Sequence, residues 1–437
     1  MSKGALPGFR DFFPQEYAER AYIMHVWRDV ARRYAFQEYD GPPLEPLELY
    51  TKKSGDEIVG QLYNFTDKGD RAVSLRPEMT PTLARMVSER ANALRKPVRW
   101  YSTPQLFRYE RQQRGRLREH FQLNVDIVGE ADVTADAELL AVAIDIMRGF
   151  GLTAADVRAR ISDRRLLNAL LTHAGVADEQ MPAVYAVVDK IERDPRPVLE
   201  ERLAKAGLSA DVVARVFNVV RERSPEELHA EFGAVPELTE HFTRLARFLG
   251  YLEVLGLLEW VRLDLSIVRG LAYYTGFVFE LFDAKGTFRA ICGGGRYDNL
   301  LQSLGGVDLP ALGFGMGDVV LGELLRERGL MPPYAPVMDY WVAADMEELR
   351  PVVMSIATLL RRLGKSVEYA LRSQQLPRQL KTAAAAGAEH AVILKQEALA
   401  ARGEVTIRNL ADGTERTVLM KDWLNDLTES AAGGGEG

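Results

Sequence analysis

Five arginines fall within eleven residues of the segment 107–122, at positions 108, 111, 114, 116 and 118. Guanidinium groups present paired N–H donors that match phosphate oxygens, and a loop between two strands lets several close over one polyanion. A triphosphate is the natural ligand, and a solvated loop of ion pairs is the competing reading. Arg269 stands between two strand-like runs in Val268-Arg269-Gly270-Leu271-Ala272-Tyr273-Tyr274, where paired tyrosines either line a small polar pocket or simply pack. Gly293-Gly294-Gly295, before Arg296-Tyr297-Asp298, permits close backbone approach or a tight turn, and matches no Walker loop or dinucleotide fingerprint. The histidines (His25, His120, His173, His229, His241, His390) lack metal-ligand spacing, so no protein metal site is expected, and no serine sits in a nucleophile elbow. Phosphate chemistry by arginines is the better lead. It needs positioning and charge stabilisation, usually with Mg2+ held largely by the phosphates.

Several elements must position these groups. Apolar spacing from Glu16 to Tyr34 predicts a helix, and 62–75 reads as a β-hairpin turning at Asp67-Lys68-Gly69-Asp70. Thr80-Pro81 has the chemistry of an N-cap and first helical position, with Leu83, Met86, Val87 and Leu94 on one face. Val98–Arg108 and Gln122–Val128 form a second hairpin pattern around the arginine-rich loop, and a helix follows over Thr134–Phe150. Strand signals return at Val261–Val268 and Phe277–Phe282.

The expected fold class is α+β. Residues 1–165 and 251–331 make one mainly antiparallel catalytic domain, interrupted by a helical insertion over 166–250. Pro332-Pro333-Tyr334-Ala335-Pro336 is the clearest linker, and residues 337–427 alternate strands and helices as a C-terminal α/β domain. Residues 428–437 read as a disordered tail.

At 437 residues the chain exceeds one ordinary core, and 47% apolar with 27% charged residues is globular usage. Cys292 is the single cysteine, which excludes an intramolecular disulfide and suits a reducing compartment. No signal-like or membrane-spanning run is present, so the expected location is cytoplasmic, with no membrane partner. The formal net charge of −7 counts against nucleic acid only as an average. Between Arg361 and Lys381 six basic residues (Arg361, Arg362, Lys365, Arg372, Arg378, Lys381) face one acidic residue, Glu368. That strip suits an RNA backbone or a solvated helix surface equally.

Taken together, the motifs resemble the class II aminoacyl-tRNA synthetases, and within them the histidyl-tRNA synthetase family. Gly41-Pro42-Pro43-Leu44-Glu45 is similar to the dimer-forming first motif, and Phe107–Gln122 to the second. Leu75-Arg76-Pro77-Glu78-Met79-Thr80, Val268–Tyr274 and Gly294–Asp298 are similar to segments of the histidine-specific branch. The resemblance implies an antiparallel-sheet catalytic domain, a C-terminal anticodon-binding domain, a homodimer formed through the first motif, and L-histidine, ATP with Mg2+ and tRNA(His) as substrates and partners. It implies that Arg108 and Arg269 meet the α-phosphate as catalytic residues, that Arg116 reaches the outer phosphates, and that Phe121 belongs with them in ATP binding. Glu78, Thr80, Gln122, Asp126, Tyr273, Tyr274 and Tyr297 would hold histidine. Arg372, Arg378 and Lys381 would touch tRNA.

This chain departs from the pattern in three places. Val319 and Val320 stand where the third motif has Glu-Arg, and Arg326 lies too far along its helix to substitute. Ala272 replaces the usual Asp. The second motif reads His120-Phe121-Gln122 where Phe-His-Gln is usual, which leaves open the ring that stacks on adenine. The alternative reading is a non-catalytic histidine-binding paralogue that regulates an ATP phosphoribosyltransferase, motivated by Val320. An RNA-binding module without catalysis leaves the pocket signature unexplained.

Overall fold

The computed structural model describes residues 4–51, 59–110, 117–268, 274–334 and 338–433, with side chains to 429. The chain divides into two compact units, Met1–Pro332 and Pro333–Gly437.

Strands of the first unit are, in chain order, β1 (Gln37–Glu38), β2 (Leu44–Pro46), β3 (Asn64–Thr66), β4 (Ala72–Leu75), β5 (Val98–Ser102), β6 (Gln105–Phe107), β7 (Glu119–Val128), β8 (Val157–Asp163), β9 (Val261–Leu263), β10 (Phe277–Asp283), β11 (Cys292–Arg296) and β12 (Ala311–Gly317). Among the described residues the main sheet runs β1-β5-β7-β12-β11-β10-β8-β9, with β6 on β7. Pairing is antiparallel from β5 through β8, and parallel only for β1 with β5 and β8 with β9. A small sheet, β2-β4-β3, carries the first-motif segment.

Alternation on β7 decides which face is core. Leu123, Val125 and Ile127 are at most 1% exposed and pack behind the sheet with Trp27 and Val30 of the helix Pro14–Arg33. The helix Val133–Gly149 completes that layer; Asp132 caps it by accepting from the Thr134 amide at 2.9 Å. The other face of β7 is left for chemistry.

Several expectations need correction. Thr80 is the first helical residue of Thr80–Arg90 rather than its cap; Met79 takes the cap position and makes no side-chain cap bond. The run Val261–Val268 is extended only to Leu263, because the Asp264 carboxylate accepts from Ser266 N and Oγ and turns the chain. Of the two readings of the triple glycine, the turn fails and close backbone approach holds: it forms strand β11, where a Cβ on Gly294 would sit 2.3 Å from that of Phe314. Between Arg164–His173 and Thr239–Val254 the chain is helical, with Pro225 in the first turn of its helix behind a Ser224–Glu227 capping box.

The second unit has its own core and a sheet ordered β14-β13-β15-β16-β17, from β13 (Met338–Ala344), β14 (Val367–Tyr369), β15 (Ala388–Leu394), β16 (Glu404–Asn409) and β17 (Glu415–Leu419). β13 is parallel to β14 and β15, and the remainder is antiparallel. The helix Met420–Gly433 crosses the start of the expected tail, since Trp423, Leu424 and Leu427 share a face against this core. Residues 434–437 lie outside the described ones. No helix among the described residues is long and apolar enough to cross a membrane.

Candidate active site

The pocket face of the main sheet has a floor without side chains. Register places Asn124 opposite Gly315, Gly315 opposite Gly293, and Gly293 opposite Glu280. The next row runs Asp126, Gly313, Gly295, Val278. The glycines admit polar side chains from the flanking strands. A Cβ on Gly313 would lie 2.0 Å from Asp126 Oδ1, and one on Gly315 would lie 2.5 Å from Gln122 Nε2. A Cβ on Gly293 would touch the Glu280 carboxylate at 3.6 Å. Gln122, Asp126 and Glu280 therefore lean over a trough that only glycine permits.

Asp126 is 5% exposed and accepts a hydrogen bond from the hydroxyl of Tyr297, which is 2% exposed. Burial pushes the Asp126 carboxyl up to about 7, against the opposing effect of that bond. Tyr297 is held by its neighbour: Arg296 is fully buried, donates to Asp136 at 2.6 and 3.0 Å, and reaches the carbonyls of Glu130 and Asp132. Such a charge is tolerated because every arm of the fork finds an acceptor. Tyr274 packs in the same cluster as Tyr297; burial raises its hydroxyl pKa, reinforced by the charges of Glu280, Asp126 and Glu78. Glu78 is 9% exposed at the end of the β4 segment. The structure thus brings Glu78, Gln122, Asp126, Tyr274 and Tyr297 to one pocket, with Thr80 half-buried at the start of the following helix.

Arg108 follows β6, where its Nε donates to Pro77 O at 2.9 Å and its amide bonds Arg118 O at 2.9 Å. Its charge acts on the imidazole of His120. Arg116, Arg269 and Tyr273 lie outside the described residues.

Phe121 is the clearest correction. It projects to the helix side of β7, where its ring meets Phe12 at 6.0 Å and the Arg20 guanidinium lies 4.5 Å from its centroid. His120 takes the pocket face with Gln122, because successive strand residues point to opposite faces. Burial and the Arg108 charge push its imidazole down to about 4, which leaves a neutral ring at physiological pH. Sequence reasoning also missed Asn124, Glu280 and the glycine floor. The G-x-G-x-G spacing of Gly313, Gly315 and Gly317 was the available signal, since alternate glycines in a strand leave one face bare.

In the second unit Arg361 bonds Val367 O and Lys365 pairs with Asp339, so part of the basic strip is spent on the fold. Arg372, Arg378 and Lys381 are exposed and make no ion pair among the described residues. Arg372 lines a cavity of about 150 Å³ with Arg350, Tyr369 and Gln379.

Buried carboxyl and tyrosine groups beside an arginine do not by themselves name a ligand, and sequence likeness narrows the reading. The family model "Histidyl-tRNA synthetase" matches residues 8–317, and "Anticodon binding domain" matches 340–429. The chain belongs to the histidyl-tRNA synthetase family. It is 43% identical over 418 residues to the histidine–tRNA ligase of Opitutus terrae, covering 95% of each chain. It is 38% identical to that of Thermoplasma volcanium, covering 98% of this chain and 99% of that one. The crystal structure of histidyl-tRNA synthetase from a Nostoc species shares the fold, with a TM-score of 0.80 over 98% of this chain and 100% of that one at 23% identity. Every pocket residue named above falls inside the span that matches the histidyl-tRNA synthetase model.

Proposed function

We propose that this chain is a histidine–tRNA ligase. Histidine's carboxylate attacks the α-phosphorus of ATP, the bond to the bridging oxygen breaks, and pyrophosphate leaves with that electron pair. The terminal ribose hydroxyl of tRNA(His) then attacks the acyl carbon of histidyl-adenylate, and AMP departs. The observation that carries this reading is the glycine-floored trough with Asp126 and Tyr297 at one end and Arg108 at the other.

In this reading Glu78 and Gln122 hold the substrate ammonium, with Thr80 beside them. Asp126, Tyr273, Tyr274 and Tyr297 enclose the imidazole. Arg108 and Arg269 stabilise the charge that builds on the α-phosphoryl oxygens, and Arg116 takes the outer phosphates. His120, in place of Phe121, offers its neutral ring to adenine. Mg2+ would enter on the triphosphate oxygens, which supply most of its ligands.

Homodimerisation through the β2-β4-β3 sheet is supported by its exposed apolar side chains, Leu44 at 37% and Phe65 at 52%. Arg372, Arg378 and Lys381 would carry tRNA contacts in the anticodon-binding domain, and a cytoplasmic setting fits a lone buried cysteine. The regulatory-paralogue alternative is less favoured: the chain spans nearly the full length of relatives named as ligases, including an anticodon-binding domain. Charging of tRNA(His) with labelled histidine tests the proposal. Absence of charging, together with a stable complex with a short ATP phosphoribosyltransferase, would replace it with that alternative.

A further inference from the structure

The third-motif position holds no arginine here, yet a guanidinium occupies the junction between β7 and the helix Asp318–Glu327 from another direction. Arg10, in the segment before the helix Pro14–Arg33, donates from Nε to Glu119 at 2.6 Å and from Nη1 to Asp318 at 2.9 Å. Glu119 and Asp318 have side chains only 1% and 4% exposed. Both carboxylates are tied to the second-motif hairpin as well. Asp318 accepts the Phe121 amide at 2.9 Å, and Glu119 accepts Gln105 Nε2 at 2.9 Å. The segment itself is seated on that hairpin: the amides of Arg118 and Glu119 donate to Gly8 O at 2.9 and 3.3 Å, and the Phe9 ring meets those of Phe107 and Tyr63. Gly8 has φ +87° and would carry its Cβ to within 2.7 Å of the Arg118 side chain, so the close seating depends on glycine.

We propose that Arg10 is a positioning residue for the nucleotide half of the pocket: acting from behind β7, it locks Glu119 and Asp318 and so fixes the strand segment from which His120 and Gln122 project. Val319 and Val320 leave the start of the following helix without a cation of its own, and Arg326 is committed to Glu19 at 2.6 Å. Arg10 supplies the missing charge at that junction. Two buried carboxylates without it would repel each other and draw in water, and the backbone at 119–121 would shift. A displacement there reaches the pocket directly, because His120 lies between Glu119, bonded to Arg10, and Phe121, whose amide is held by Asp318. The inference rests on the assignment of His120, Gln122 and Arg108 to the substrate pocket.

Histidine-dependent pyrophosphate exchange with the full-length protein tests it. Arg10→Ala is expected to raise KM for ATP or lower kcat by on the order of ten- to a hundredfold, the scale of an ångström-level misplacement. KM for histidine should stay within about twofold. Arg10→Lys should recover part of the ATP effect. The double variant Arg10→Met/Asp318→Asn removes the repulsion between the two buried carboxylates, so it should regain part of the thermal stability without regaining ATP affinity; it also serves if Arg10→Ala does not fold. Unchanged ATP kinetics in a folded Arg10 variant would overturn the inference. So would a double variant that recovers stability and ATP kinetics together, since that marks a purely structural role. If His120→Ala also leaves ATP kinetics untouched, the pocket assignment itself fails; an effect of His120→Ala alone sinks only the role of Arg10.

Discussion

Asp126→Asn isolates the buried carboxyl at the centre of the pocket. Its folded-state pKa of about 7 stands above the ordinary carboxylate value near 4, so between those values the folded chain holds a proton that the unfolded chain releases. Stability from this group is complete below about pH 4, falls as pH rises, and levels off above about pH 7. At 1.36 kcal/mol per pH unit the whole span amounts to about 4 kcal/mol, of which about 3 falls between pH 5 and pH 8. Asparagine keeps an acceptor for the Tyr297 hydroxyl and the clearance over Gly313, but cannot ionise. Urea unfolding of the ligand-free wild type and variant at pH 5 and pH 8 measures the difference. The variant should gain about 3 kcal/mol on the wild type across that interval. A wild-type-to-variant difference that is constant with pH to within about 0.5 kcal/mol would refute the reasoning, because Asp126 would then titrate as an exposed carboxylate does.

Four further outcomes follow from the same geometry. His120→Ala should raise KM for ATP about tenfold or more, the scale of a lost base-stacking ring, while His120→Phe keeps it. Phe121→Ala should instead lower stability by about 2–3 kcal/mol and leave KM for ATP within about twofold, as denaturation midpoints and exchange kinetics will show. Gly313→Ala should weaken histidine binding on the order of a hundredfold, seen by calorimetric titration, because its Cβ would stand 2.0 Å from Asp126 Oδ1. A chain ending at Pro332 should retain histidine-dependent adenylate formation but lose most tRNA charging, since the two compact units separate there.

Some of this was legible in the sequence because it depends on local rules. The hairpin pattern of Val98–Arg108 and Gln122–Val128, helical spacing before Tyr34 and the proline-rich linker each report on a neighbourhood of a few residues. What stayed hidden depends on register between strands distant in sequence. Phe121 and His120 differ only in which face of β7 they take, and that is settled by packing against the helix Pro14–Arg33. The glycines of β11 left close approach and a tight turn both open, because their reason for being small, contact with Phe314 and clearance for Glu280, lies on neighbouring strands. Arg10 carried no motif; its partners stand 109 and 308 positions away. The helix Met420–Gly433 was missed at its end because a glycine- and alanine-rich tail composition obscured Trp423, Leu424 and Leu427, which need the second core to pay for ordering.

Exchange of labelled pyrophosphate into ATP, with and without histidine, tests the central claim most directly. The expected result is exchange that requires histidine, that no other amino acid supports comparably, and, from the role the family resemblance implies for Arg269, that Arg269→Ala suppresses far more than it weakens histidine binding. Histidine binding without any exchange would contradict it, and would show that the trough holds the amino acid but does not activate it.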